Sequence, residues 1–177
     1  TIERDTLKFI GENWKLPVLD GYNILYEPGT GAVVYNTWDS PLGRIFCNRA
    51  EELAPGLVRI HAHPALKPAP GTVVALNHVR YDRIGFLIKN CRDIVLEDLK
   101  IHHALSHAIL ARRCENLTFR RTSVCVNEAK RRMFSSVADA MHLTGCRGTI
   151  LIEGCAHTGH GDDFLNIHGR NIALRRI

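Results

Sequence analysis

The stretch RDIVLEDL, residues 92–99, sets Ile94 and Leu96 two positions apart inside a charged frame. Alternate side chains of a strand point to opposite faces, so both apolar residues turn the same way. The template returns as ENLTFRRT (115–122), GTILIEGC (148–155) and RNIALRRI (170–177). Ile94, Leu117, Ile150 and Ile172 share one position, and Leu96, Phe119, Ile152 and Leu174 share the next but one. The copies are offset by 23, 33 and 22 residues. A second apolar run precedes each copy: GFLIKNC (85–91), AILARRC (108–114), AMHLTGC (140–146) and FLNIHGR (164–170). Short strands that recur at one coil length, with turns between them, are the signature of a solenoid. One coil cannot bury its apolar face alone, whereas stacked coils share a core. The chain is therefore expected to be all-β, with residues 76–177 wound as a parallel β-helix of the pectin-lyase-like kind. The competing arrangement is a β-sandwich of short strands.

The 33-residue step calls for about ten extra residues near VNEAKRRMFSS (126–136), and such insertions usually sit at the rim of a binding face. The first three of the preceding runs end in Cys91, Cys114 and Cys146. In-register neighbours lie about 4.8 Å apart, so inward cysteines pack there as small apolar groups and need no disulfide. Residues 1–75 read differently: EPGTG, SPLG, APG and HPALKPAPG are turn signals set close together, with apolar stretches such as GAVVYNTW and LVRIHAH between them. They predict a β-rich annex, a small barrel, leading into the coils near GTVVALNHV (71–79).

The whole-chain numbers fit this picture. At 177 residues, 45% hydrophobic and 23% charged, the chain can hold a sizeable core. Its net charge of +5 is spread over scattered pairs, Arg112–Arg113, Arg120–Arg121 and Arg175–Arg176, and the short run Lys130–Arg132. Such pairs read as a solvated face, so nucleic acid is not expected as a partner. No apolar run approaches the roughly 20 residues of a membrane helix. The six cysteines fit neither CxxC zinc spacing nor a dense disulfide framework. A start at Thr1 and an end inside a strand-like run suggest a piece of a longer protein.

The repeat register also places acidic residues. Asp139 lies seven residues before Cys146, and Asp163 lies seven before Arg170, which takes the cysteine position on the next coil. Asp139 and Asp163 are thus expected one strand spacing apart, about 4.8 Å, with Asp162 beside them at the turn. The same arithmetic stacks His142 over Asn166 and Thr144 over His168, and puts His107 on the coil below Asp139. Crowded carboxylates titrate apart, so one can hold a proton while another is ionised. Glycoside hydrolysis needs that division between an acid for the leaving oxygen and a base for water. The plainer reading of Asp162 and Asp163 is turn capping, but three aspartates in register beside His142 and Asn166 favour a catalytic group. His157, His160, Asp162, Asp163 and His168 include metal-ligand types, yet alternation and turns should scatter them, and IHHALSH (101–107) lacks a partner motif. Neither a metal nor another cofactor is expected, and the histidines are read as hydrogen-bonding sugar hydroxyls.

The segment DAMHLTGCRGTILIEGCAHTGHGDDFLNIHG (139–169) resembles the core of glycoside hydrolase family 110, through DAMHLTGC, GTILIE and DDFLNIHG. The strong match covers about thirty residues, and the two coils before it agree more loosely. The resemblance implies bacterial exo-acting α-galactosidases that remove terminal α-1,3-linked galactose from glycans. It implies a right-handed parallel β-helix with additional β-barrel domains, an inverting mechanism without a cofactor, and a secreted or periplasmic location. It implies that Asp139, Asp162 and Asp163 form the catalytic group. By analogy with polygalacturonase-type enzymes, Asp162 would be the acid, and Asp139 with Asp163 the bases holding the water. His142, Asn166 and His168 would bind sugar hydroxyls. Two other outcomes are a β-helix glycosidase of different sugar preference and a glycan-binding solenoid without turnover.

Overall fold

The computed structural model describes residues 2–3, 8–10, 15–17, 22–43, 47–77 and 81–169. The chain divides into two compact units, Thr1–Val79 and Arg80–Ile177. The described elements are strands, apart from one 3-10 turn at Glu128–Lys130. No helix among the described residues is long and apolar enough to cross a membrane.

The first unit is antiparallel. Strands β1 (Ile2–Glu3), β2 (Lys8–Ile10) and β3 (Lys15–Pro17) form a meander. Strand β4 (Tyr22–Tyr26) pairs with the last strand of the unit, β7 (Val73–Asn77), and β5 (Cys47–Ala54) forms a hairpin with β6 (Leu57–Ala62). Gly56 turns that hairpin at φ 79°, a conformation that a side chain disfavours. Leu25 and Leu42 are buried, with Val34, Ile60, Leu66, Val74 and Leu76 packed on them. Asn23 is buried without cost because both ends of its amide are used. Its Oδ1 accepts from Leu42 N–H at 3.0 Å and its Nδ2 donates to the Gly43 carbonyl at 3.0 Å.

The second unit is built from parallel ladders. Strands β8 (Phe86–Lys89), β9 (Arg92–Glu97) and β10 (Lys100–Ile101) follow one another along one stretch of chain. The next stretch repeats them as β11 (Ile109–Arg112), β12 (Glu115–Arg120) and β13 (Ser123–Val124), and the next supplies β14 (Met141–Thr144) and β15 (Arg147–Glu153). Strand β16 (Leu165–His168) comes last. Each strand pairs in parallel with its counterpart one stretch away, giving sheets of order β16-β14-β11-β8, β15-β12-β9 and β10-β13. Ile94–Leu117–Ile150 and Leu96–Phe119–Ile152 lie side by side, as the alternation requires. The fourth copy, RNIALRRI with Ile172 and Leu174, lies outside the described residues.

The corners repeat as well. Asn90, Arg113 and Gly145 all have positive φ at one bend, and Asp98, Arg121 and Gly154 do so at another. The second residues of β9 and β12, Asp93 and Asn116, also have positive φ and are tied through side chains. Asn116 Nδ2 donates to Asp93 Oδ1 at 2.7 Å, while Asn116 Oδ1 accepts from Thr149 N–H at 3.1 Å. The core holds Ile88, Ile109, Ala111, Leu117, Phe119, Val124, Met141 and Leu143, with Cys114 buried among them and Cys91 and Cys146 at its edge. Cys91, Cys114, Cys125, Cys146 and Cys155 are free thiols. The extra residues of the long step hold the 3-10 turn, and the stack resumes at Ser136, which bridges in parallel to Ala104 and His160.

On the outer face of β9, β12 and β15, opposite charges meet from coil to coil. Glu115 takes Arg92 at 2.7 Å and Arg147 at 2.9 Å; Arg120 reaches Glu97 and Glu153; Arg121 reaches Glu97 and Asp98. The Arg120–Arg121 pair is thus part of a solvated, charge-matched face.

His157 gives the stack a pH dependence. Its Nδ1 accepts from Val124 N–H at 3.0 Å, a hydrogen it shares with the Ala156 carbonyl at 3.1 Å, so protonation there would remove one of two acceptors, and its buried Nε2 has no partner among the described residues. Burial, aided by the charge of His160, lowers its proton affinity against the ordinary value of 6.5, with the Ala156 backbone opposing. The unfolded chain therefore binds the proton more readily than the folded one. Stability should be full above about pH 6.5 and fall as pH drops below it. A thermal melt series from about pH 7.5 to pH 5 should show this decline. His157→Asn, which keeps an acceptor but does not titrate, should make it shallower, leaving the share of His107, whose proton affinity burial also lowers; an unchanged slope would remove His157 as a cause.

Candidate active site

Asp139 stands at the turn that feeds β14, and Asp163 at the corresponding turn before β16. The ladder continues through these turns: Ala140 N–H donates to the Asp163 carbonyl at 2.9 Å, and Ala108 N–H donates to the Asp139 carbonyl at 3.0 Å. His107, Asp139 and Asp163 therefore occupy one register position, each two residues before a strand of the same parallel sheet. Asp162 joins from the same turn as Asp163. One carboxylate oxygen from each of Asp139, Asp162 and Asp163 lies within 4.8 Å of the other two. Asp139 is 5% exposed, at the base of the group, while Asp162 and Asp163 are open to solvent.

The side chains around the group hold it in place. Asn166 Nδ2 donates to Asp163 Oδ2 at 2.9 Å. The Asp162 carbonyl accepts from His160 Nδ1 at 2.7 Å. His142 Nδ1 meets Asp139 Oδ2 at 2.7 Å, and His142 Nε2 meets His168 Nε2 at 2.9 Å. His168 Nδ1 lies 2.6 Å from the Gly169 carbonyl, which can only accept, so that nitrogen carries hydrogen. The contacts form one path from the Gly169 carbonyl through His168 and His142 to the buried Asp139 carboxylate.

The register places His142 beside Asn166 and Thr144 beside His168, as the sequence arithmetic has it. His107 stacks on His142 with ring centroids 4.9 Å apart, and Tyr81 meets His107 edge-on at 5.7 Å. Burial holds His107 below the usual imidazole range; Asp139 opposes this, and His142 and Arg112 add to it. Phe164 packs its ring against His157 and His160.

The metal-ligand candidates regroup. His157, His160 and His168 fall in neither of the two described groups with ligand spacing, which are His107–Asp139–His142 and Asp139–Asp162–Asp163. His157 and His160 both pack on Phe164, while His168 lies against His142. The aspartate trio has a spacing that three ligands round a cation would also show.

Beside the group, Lys89, Arg112, Thr144 and His168 share one outward row on four adjacent strands, and Leu87, Leu110, His142 and Asn166 share the next. A cavity of about 450 Å³ is lined by Lys89, Arg112, Arg113, His142, Thr144 and His168. Sequence reasoning took Arg112–Arg113 for a solvated pair and passed over Lys89. The signal was present: Lys89, Arg112 and Thr144 each stand two residues before an in-register cysteine.

Comparisons with known proteins follow this geometry. Residues 1–74 match the model of GLAA-B beta-barrel domain I. The chain is 36% identical over 174 residues to alpha-1,3-galactosidase B of Bacteroides thetaiotaomicron, covering 95% of this chain and 27% of that protein. It is 32% identical over 169 residues to alpha-1,3-galactosidase B of Parabacteroides distasonis, covering 94% and 27%. It is 29% identical over 187 residues to alpha-1,3-galactosidase A of Bacteroides fragilis, covering 100% and 30%. The chain thus spans less than a third of the length of these curated relatives.

Proposed function

We propose that this chain is a glycoside hydrolase family 110-like segment and that it carries the catalytic centre of an α-1,3-galactosidase. The reading rests on one observation: the carboxylates of Asp139, Asp162 and Asp163 converge from neighbouring turns onto one spot. In this reading residues 1–75 are a small β-barrel, and residues 76–177 are coils of a right-handed parallel β-helix. The parallel ladders support the winding, and parallel crossovers are right-handed in nearly all sheets. Terminal galactose on glycans is met outside the cytoplasm, which is where we place the protein.

Asp162 gives its proton to the glycosidic oxygen as the bond to galactose breaks. Asp163 and Asp139 orient a water and take its proton. Asp162 is exposed and can reach a leaving sugar, whereas Asp139 is buried and in contact with His142. His142, His168 and Asn166 hold the carboxylates in place and face sugar hydroxyls at their exposed edges. The trio is tighter than the roughly 6.5–9.5 Å that separates acid from base in most inverting enzymes. Inversion is therefore carried by the family likeness rather than by distance.

The test is to incubate the full-length protein with α-1,3-linked digalactose and follow the products by NMR. β-Galactose should appear first, before mutarotation, and a chelator should leave the rate unchanged. α-Galactose first would replace inversion by retention. A rate abolished by chelator and restored by a divalent cation would overturn metal independence. No galactose from this or a p-nitrophenyl galactoside would leave a glycan-binding solenoid or a glycosidase of other specificity.

A further inference from the structure

Two faces of the same coils treat their cations differently. On β9, β12 and β15 the arginines at the coil-to-coil contacts meet carboxylates from the neighbouring strand. On β8 and β11, Lys89 lies directly opposite Arg112 in a parallel ladder, about one strand spacing away. Like charges set opposite one another destabilise a sheet. Arg113 adds a third cation at the following bend, and among the described residues none of the three forms an ion pair with a carboxylate. The next residues along the same row are Thr144, a hydroxyl donor, and His168. Together they line a cavity that shares His142 with the aspartate group. A fold that matches its charges on one face and leaves them stacked and unmatched in a cavity on another has left the counter-charge to a ligand.

We propose that this cavity is an anion-binding subsite. It takes an anionic substituent, a sulfate ester or a carboxylate, on the sugar next to the galactose that is released. The inference rests on the glycosidase reading for its substrate, and on the cation row alone for its charge. Guanidinium and ammonium groups around one anion give charge-assisted hydrogen bonds, and Arg112 and Arg113 can each present a planar fork to a sulfate or carboxylate. The rival cationic surface is Lys130–Arg132 on the inserted loop. It sits on the 3-10 turn rather than in the strand row beside His142.

The experiment uses the full-length protein and three disaccharides. They are neutral α-1,3-digalactose, the same sugar sulfated on the reducing galactose, and one with a uronic acid in the reducing position. At least one anionic substrate should be favoured by about tenfold in kcat/KM, and the two arms tell which anion fits. The preference should weaken as sodium chloride rises from about 20 mM to about 300 mM. Lys89→Gln with Arg112→Gln should bring the ratio of anionic to neutral within about twofold. Lys130→Gln, Arg131→Gln and Arg132→Gln together should keep it. If neutral sugar is handled as well as both anionic ones, or if the loop triple variant is the one that loses the preference, the proposal is overturned. If no disaccharide is cleaved, the hydrolase reading fails, and calorimetric binding of the same three sugars decides this one. Tighter anionic binding, lost in the Lys89/Arg112 double variant, supports it, and equal binding ends it.

Discussion

Asp162→Asn should lower kcat on α-1,3-linked digalactose about a thousandfold, with KM changing by less than about threefold. The amide keeps the size of the carboxyl and its place in the turn, where the His160 contact is to the backbone and not to the side chain. What it loses is the proton for the leaving oxygen. A sugar alkoxide is a poor leaving group without that proton, so the chemical step should carry the whole loss. A p-nitrophenyl galactoside needs far less help, because its phenolate leaves readily. On that substrate Asp162→Asn should be markedly less damaged. Asp163→Asn should be damaged on both substrates, since water must be deprotonated whatever leaves. Equal losses for Asp162→Asn on the two substrates would reassign it to the base. A loss below about tenfold would take it out of the chemistry altogether. Asp139→Asn should also be damaged on both substrates, and more severely, because it disturbs a buried contact with His142 Nδ1 at 2.7 Å as well as removing a carboxylate.

The register was open to reading because it follows from a period-two pattern repeated at a fixed length. Ile94, Leu117 and Ile150 had to face one core if the chain was wound in coils, and the ladder aligns them. Once that alignment held, the placing of His142 beside Asn166 was arithmetic. Other features escaped because they depend on direction in space and not on spacing. Nothing in KRR or RR says which cations will find carboxylates. Arg120 and Arg121 do, because the strands on either side carry Glu97, Asp98 and Glu153. Arg112 does not, because its register partners are Lys89 and Thr144. The hydrogen-bond path from Asp139 through His142 to His168 likewise needed the ring orientations, since the register sets His142 beside Asn166 and leaves the histidine contact to run diagonally. Tyr81, edge-on to His107, lies ahead of the first repeat and had no counterpart to align with.

Phe119→Ala should cost about 3–5 kcal/mol, the largest loss expected from a single core truncation here. Phe119 is 0% exposed and sits in the middle strand of β15-β12-β9, with Leu96 on one side and Ile152 on the other. In a stack each coil touches only its neighbours, so a cavity at a central coil weakens two interfaces together, with no distant contact to compensate. Val95 lies on β9 between the core-facing Ile94 and Leu96, on the opposite face, and is 57% exposed, so Val95→Ala should change stability by less than about 0.5 kcal/mol. Urea unfolding of the full-length protein, followed by hydrogen exchange at β12 and β14, separates the two. Loss of protection should be centred on β12 and spread to β14, whose Met141 and Leu143 belong to the same core. Because β14 follows directly from the turn that holds Asp139, the variant should also lose the proposed galactosidase activity at temperatures where β4 and β7 keep their exchange protection. Retention of full activity up to the global melt would show that the aspartate group does not depend on the stacked core beneath it, and the coil-by-coil origin of the site would have to be given up.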